Sequence, residues 1–291
     1  MSQLNYTINN FNQDFPDDNA CLEWLRSKLY PAKIYCLKCN KPTKHHRIRT
    51  RKVYGCDICG HQISPTAGTI FHDSSTSLRL WFYSIHLMST TRCGISAKQI
   101  QRETGVTYKT AWRMFRQIRT LLQEDTEILT GEVEVDETYV GGKKHGKRGR
   151  GAEGKAKVIG AVQRNGKVIA QVIPDVKRNT LVPFVNRKVD IKATLYTDEF
   201  PSYDTMERIG YKHLRIAHHA KEYARGNIHT NSIEGFWSLL KRGIGGVYHS
   251  VSKKYLQSYI NEYGFRYNHR KDRKSMFHSF LEQLAEKKVL I

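Results

Sequence analysis

Along the first third of the chain, apolar residues recur at helical spacing. Phe11, Phe15, Leu22, Trp24, Leu25 and Leu29 predict a short helix within residues 11–29, with Asp17 or Asp18 as its cap. Leu78, Trp81, Phe82, Ile85 and Met88 predict another over residues 77–89, capped by Ser77. After Gly94, the stretch ISAKQIQRETGVTYKTAWRMFRQIRTLL divides at Gly105 into a helix from about Ser96 and one from about Thr107 to Leu122. From Gly131 the period shortens to two, the signature of strands. EVEVDETYV predicts one strand, AKVIGAVQRNGKVIAQVI a hairpin turning at Asn165-Gly166, and ATLYTDEF a further strand, with helical residues around 178–189 before it. PSYDTMERIG then begins a helix, KHLRIAHH reads as an edge strand, and NSIEGFWSLLKRGIGG as a helix stopped by its glycines. The remainder, with Tyr255, Tyr259, Ile260, Phe265, Tyr267, Phe277, Phe280 and Leu284, is mostly helical.

Three antiparallel strands, a helix and a further strand are the opening order of a ribonuclease-H-like fold, in which the strand around Tyr196 lies beside the strand around Val135. Composition narrows what such a chain meets. Its 291 residues are 39% apolar, enough for a core, and 48 Lys and Arg against 27 Asp and Glu leave a net charge of +21. That excess draws anionic partners. No run of eighteen apolar residues occurs, and MSQLNYTINNFNQDFPDDNA lacks the basic start and apolar centre of a signal peptide, so the reading is a cytoplasmic protein with nucleic acid as its polyanion and no membrane partner.

Six cysteines are too few to staple a chain of this length, and four fall into a pattern: Cys36-x2-Cys39 and, sixteen residues on, Cys56-x2-Cys59. That is zinc-ribbon spacing, in which two knuckles share one tetrahedral ion that supplies the folding energy of a module with little apolar core. Gly60 turns the chain after the second pair, and His61 reads as a bystander. Between the knuckles, Lys41, Lys44, His45, His46, Arg47, Arg49, Arg51 and Lys52 form a candidate phosphate clamp. Downstream, the helix pair around Gly105 has the layout of a helix-turn-helix. Its second helix offers Tyr108, Lys109, Arg113 and Arg116 to DNA, while Ala111, Trp112, Phe115 and Ile118 pack.

The strand EVEVD places Val133 and Val135 on one face and Glu132, Glu134 and Asp136 on the other. Three like charges on one face repel unless solvated or sharing a cation. Asp198 ends the later strand, and Glu234 lies one turn beyond Asn231 in a predicted helix. Hard carboxylate oxygens from two strands and a helix suit a pair of magnesium ions. Among 27 acids, spacing alone carries little weight.

From about Pro16 to about Phe280 the chain resembles the bacterial insertion-sequence transposases that carry an amino-terminal zinc ribbon, the ISXO2-like or IS1595-type group related to the Merlin transposons. The resemblance runs through the C-x2-C pairs, SPTAGTIFHDSSTSLRLWF, VDETYVGGKK, LYTDEF, HTNSIEGFWSLLKRG and YINEYGFRYNHR, in that order. It implies a DDE enzyme that binds terminal inverted repeats, cleaves strands and joins the liberated 3′-hydroxyls to target DNA with Mg2+ or Mn2+. Asp136 and Asp198 are then the first two metal-holding acids. Glu234 is favoured as the third, with Asn231 as the alternative on the same helical face, and Lys241 matches the downstream lysine. Arg242 joins Lys241 beside phosphate, His229 precedes the helix, and Lys143 and Lys144 in GGKKHGKRGRGAEGKAK form a basic loop beside the first strand, expected to be mobile until DNA orders it. Arg266, Arg270, Lys271, Arg273 and Lys274 suggest a further DNA-facing side.

The expected architecture is multidomain α+β: a helical segment at 1–32, the four-cysteine ribbon at 33–64, the helix-turn-helix region at 65–125, and a ribonuclease-H-like DDE catalytic domain with basic C-terminal helices at 126–291. Cutting and joining at two ends implies at least a dimer on double-stranded DNA. Two other readings stay open at this point: a zinc-dependent DNA-binding regulator derived from a transposase, and a nuclease of the same fold that cuts without joining.

Overall fold

The computed structural model of the chain describes residues 5–124, 127–141, 154–216 and 229–287. Two compact units result: residues 1–121 with 272–291, and residues 122–271.

In the first unit, α1 (Ile8–Asp14) and α2 (Asp18–Leu29) replace the one helix expected over 11–29. Thr7 caps the first, and Asp17, accepting from the Ala20 N–H at 2.8 Å, caps the second. Asp18 has a different task. Its carboxylate accepts from the Ser77 hydroxyl and, at 2.9 Å, from the Arg79 N–H, at the start of α3 (Leu78–Thr90). Five short strands lie between: β1 (Ile34–Cys36) pairs with β2 (Lys41–Thr43), while β3 (His45–Ile48), β4 (Val53–Cys56) and β5 (Gln62–Ile63) form a three-stranded sheet. The pair α4 (Ala97–Thr104) and α5 (Tyr108–Leu121) follows, with Ser96 capping α4 and Gly105 ending it at φ 71°.

The last helix, α10 (Met276–Glu286), departs from the expected domain division. It belongs to the first unit, not to a single domain running from 126 to the end. The reason is aromatic packing. Phe277, fully buried, stacks on Tyr6 with ring centroids 4.6 Å apart and meets Phe11, Phe15 and His86 edge-on.

The second unit is built on one sheet of order β10-β9-β6-β7-β8, from β6 (Glu132–Val140), β7 (Ala156–Gln163), β8 (Val168–Ile173), β9 (Thr194–Asp198) and β10 (Lys212–Ile216). The pairs β6–β7 and β7–β8 are antiparallel, whereas β6–β9 and β9–β10 are parallel. This mixed topology is that of a ribonuclease-H-like core, with Glu134 opposite Tyr196 as the pattern predicts. Asn165, at φ 59°, turns the β7–β8 hairpin. On one face Val133, Val135, Ile159, Ala161 and Leu195 pack against α6 (Arg178–Lys188) through Leu181, Phe184 and Val185. On the other, Val140, Val158, Val162 and Val168 pack against α8 (Asn231–Gly243) and α9 (Lys253–Asn268). A one-turn helix, α7 (Met206–Ile209), precedes β10.

Helix α8 is not stopped by its glycines. It runs on into a π-helical turn over Ile244–Tyr248, and Gly243 serves packing instead, because a Cβ there would fall 1.5 Å from the Tyr263 hydroxyl of α9. The basic residues near the end of α9 are also occupied. Arg266 pairs with buried Glu262 at 2.8 Å, Arg270 donates to the Gly166 carbonyl at 3.0 Å, and Lys271 to that of Asn165 at 3.0 Å. The last two bonds tie the end of α9 to the β7–β8 hairpin. Within the first unit, Lys274 pairs with Glu282.

Candidate active site and cysteine centre

The two C-x2-C pairs converge. Cys36 and Cys59 have sulfurs 3.5 Å apart, Cys39 and Cys56 3.9 Å, and all four lie within 4.8 Å of one another. Zinc–sulfur bonds of about 2.3 Å in a tetrahedron put sulfurs roughly 3.8 Å apart, so the thiols fit that ion. Each pair ends in a left-handed residue, Asn40 at φ 52° and Gly60 at φ 70°, and the Gly60 N–H donates to the Cys56 carbonyl at 2.9 Å. The Thr43 hydroxyl, 3.2 Å from the Cys56 sulfur, favours the thiolate and pushes that thiol down to about 5. His61 stays outside the cluster.

The basic residues of the hairpin divide. Arg49 and Arg51 are exposed near its tip. Arg47 instead holds the hairpin together, donating to the carbonyls of Ile48, Arg51 and Val53 and lying over the Tyr54 ring, and Lys52 donates to the Thr76 carbonyl at 3.4 Å. On α5, Tyr108, Lys109, Arg113 and Arg116 are exposed, while Ala111, Phe115 and Ile118 are buried and Trp112 is half-buried. Arg113 reaches the hydroxyls of Ser74 and Thr76 at 3.1 and 3.2 Å, and Lys98 sits 4.6 Å over the Tyr108 ring.

In the second unit, Asp136 and Asp198 lie on neighbouring parallel strands. The β6–β9 register ends at Glu134 opposite Tyr196, and two residues further along each strand are Asp136 and Asp198. Asp136 is half-buried and its carboxyl is pushed up to about 6, first by burial, then by the charge of Asp198, with Glu234 adding in the same sense. The three acids therefore share one electrostatic site. They are more spread than the cysteines, for among the described residues only the thiols gather three or more ligand atoms within 4.8 Å. Glu234 is exposed on α8 and accepts from the Thr230 hydroxyl at 2.9 Å. Asn231, Glu234 and Lys241 recur at the spacing of one helical stripe, all exposed, and Arg242 beside them donates to the Ser238 carbonyl at 3.3 Å. Lys143 and Lys144 lie outside the described residues.

Residues 16–62 match the transposase zinc-ribbon domain, and residues 128–268 the ISXO2-like transposase domain. The chain belongs to the IS1595-type DDE transposases. This family is implicated in DNA cleavage and strand transfer. A protein in transposable element ISH50 of Halobacterium salinarum is 28% identical over 254 residues, 80% of this chain and 85% of the relative. A transposase-like protein of Haemophilus influenzae is 31% identical over 120 residues, 41% of this chain and 94% of the relative. Against a pre-cleavage Mos1 transpososome the identity is 12%, over 67% of this chain and 75% of that chain, with a TM-score of 0.31. Among the described residues of this transposase, no helix is long and apolar enough to cross a membrane.

Several site residues carry no mark in the sequence pattern. Trp237 reads as core in the apolar stripe of α8, yet its indole N–H donates to Asp136 at 3.0 Å. Gly160, directly opposite Asp136 on β7, makes room for that ring, because a Cβ there would meet it at 2.6 Å. Glu134 shares the acid face with Asp136 but is fully buried and paired with Arg164 at 2.8 Å. Only the acid-rich strand hinted at it, and alternation gave Glu132, Glu134 and Asp136 equal standing.

Proposed function

We propose that this transposase binds the terminal inverted repeats of its element through the ribbon and through α4–α5 acting as a helix-turn-helix, and that the second unit cleaves and joins strands. Arg49, Arg51, Tyr108, Lys109, Arg113 and Arg116 are the DNA-facing side chains of the first unit; their exposure supports the reading. Asp136, Asp198 and Glu234 hold divalent cations, Mg2+ or Mn2+, with Asn231 beside Glu234 orienting a ligand or replacing it. The donor set fits: three carboxylates crowd their charge onto one site, and Asp136 is pushed up to about 6 by burial first and then by the charge of Asp198. When bound, such cations supply Lewis-acid activation of the attacking oxygen and neutralise the leaving oxygen. Trp237 orients the Asp136 carboxylate, and Lys241 and Arg242, about two turns along the same helix, hold the phosphate. Both steps are displacements at phosphorus, so one set of side chains serves cleavage by water and joining by the 3′-hydroxyl. Coordinated action on two ends requires at least two copies on DNA.

The observation that carries the reading is that Asp136 and Asp198 each lie two residues beyond the last paired positions of neighbouring parallel strands, in one electrostatic field with Glu234. The experiment supplies duplex ends and target DNA to the wild-type chain and to Asp136→Asn. Wild type cuts uncleaved ends and joins pre-cleaved ones, while the variant binds both with unchanged affinity and does neither. Cutting without joining identifies a nuclease, neither reaction in wild type a DNA-binding regulator, and undiminished cleavage by Asp136→Asn removes that residue from the chemistry.

A further inference from the structure

Glu134 and Asp136 stand two residues apart on the same face of β6, and both grip α8. Glu134 takes the helix by its beginning: one carboxylate oxygen accepts the backbone N–H of Ser232 at 2.8 Å and of Ile233 at 3.0 Å. These are among the N–H groups that a helix start leaves without an internal partner, and α8 has no cap from its own Thr230. The other oxygen accepts from Arg164 Nε at 2.8 Å and lies 3.2 Å from His229 Nδ1. Arg164 donates in turn to the His229 carbonyl at 2.8 Å and lies 4.0 Å over the Tyr196 ring, whose hydroxyl donates to Glu132 at 2.7 Å. Further along α8, Trp237 closes the second grip on Asp136.

This wiring separates the two acids. Both oxygens of Glu134 are engaged and its charge is met by Arg164 and the positive end of the helix, so it has no capacity left to hold a cation. What it does hold is the helix that carries Glu234. A strand is stiff over two residues, so the clamp at Glu134 sets how far the Glu234 end of α8 stands from Asp136 and, across the parallel register, from Asp198.

We propose that Glu134, locked by Arg164, is a positioning residue that fixes the spacing between the helix-borne and strand-borne acids of the cation site. The inference rests on the catalytic reading of Asp136, Asp198 and Glu234. Partners behind metal ligands commonly change metal affinity by about 10–100-fold when removed.

The test titrates Mn2+ alone onto the zinc-loaded full chain and reads free ion by electron paramagnetic resonance. In Glu134→Gln, Mn2+ binds at least about tenfold more weakly, while far-UV circular dichroism and DNA affinity match wild type. Added to Asp136→Asn, the change produces no further loss, because the site is already broken. If Glu134→Gln alone fails to fold through its unpaired arginine, the Glu134→Gln, Arg164→Gln double variant leaves no buried charge and shows the same weakening. Affinity within about twofold of wild type in either folded variant overturns the positioning role alone. Wild-type Mn2+ binding in Asp136→Asn overturns the cation site itself and the inference with it.

Discussion

Asp136 and Glu134 show how little a residue's place on a strand says about its fate. They share a face and a charge, yet one is clamped between an arginine and a helix start while the other faces two more carboxylates. For Asp136 the consequence is a pH dependence. Its carboxyl rises from 3.8 to about 6 on folding. Below 3.8 both states hold the proton; between 3.8 and about 6 the unfolded chain releases it and the folded chain keeps it. In the absence of divalent cation, stability from this group is therefore lost as pH rises through that window. A cation competes with the same proton, so Mn2+ should raise the melting temperature little near pH 4 and increasingly up to about pH 7. Thermal melts with and without Mn2+ check it, and Asp136→Asn should flatten the difference. A Mn2+ effect equal across the range would remove Asp136 from the site.

At the scale of elements, α8 reaches the sheet because β7 carries no side chain at Gly160. Gly160→Ala would press a methyl into the Trp237 ring and should cost about 1–3 kcal/mol, with altered tryptophan emission as the indole leaves Asp136. Urea unfolding followed by fluorescence measures both; unchanged stability and emission would mean that the ring moves freely. The ribbon poses the opposite case. Its strands are two to four residues long, and four thiols replace a core. Chelation, or Cys36→Ser, should abolish the order of residues 33–64 while β6 to β9 keep their protection in hydrogen exchange. Uniform loss of protection in both units would contradict an independently folded core.

Over the whole molecule the chain leaves the first unit at Leu121, builds the second, and returns at Asp272. The return is an aromatic plug: Phe277 closes a cluster that includes Tyr6, Phe11, Phe15 and His86. Phe277→Ala should cost the first unit about 3–5 kcal/mol. Truncation after Lys271 should leave residues 5–121 open to limited proteolysis while residues 154–216 stay resistant. Protease resistance of both halves in the truncated chain would show that α10 is dispensable.

Elements and metal chemistry were legible because they are written locally. Period-two and helical spacing located the strands from β6 to β9 and the helices α3, α4, α5 and α6, and the C-x2-C pairs announced a four-thiol cluster that fits one ion. Asp136 and Asp198 were marked by resemblance in motif, and each lies two residues beyond the end of the parallel β6–β9 register. What spacing could not encode was which charges would find partners across 30 to 100 residues. Arg164 meets Glu134 and Ser232 meets Glu134 only after the sheet and α8 have assembled. The sequence by itself determined most of the elements and the zinc-type thiols, and marked two aspartates by motif. Tertiary structure alone decided which acid would be clamped and which would face its like, because burial and hydrogen bonding belong to the assembled surfaces and not to the chain order.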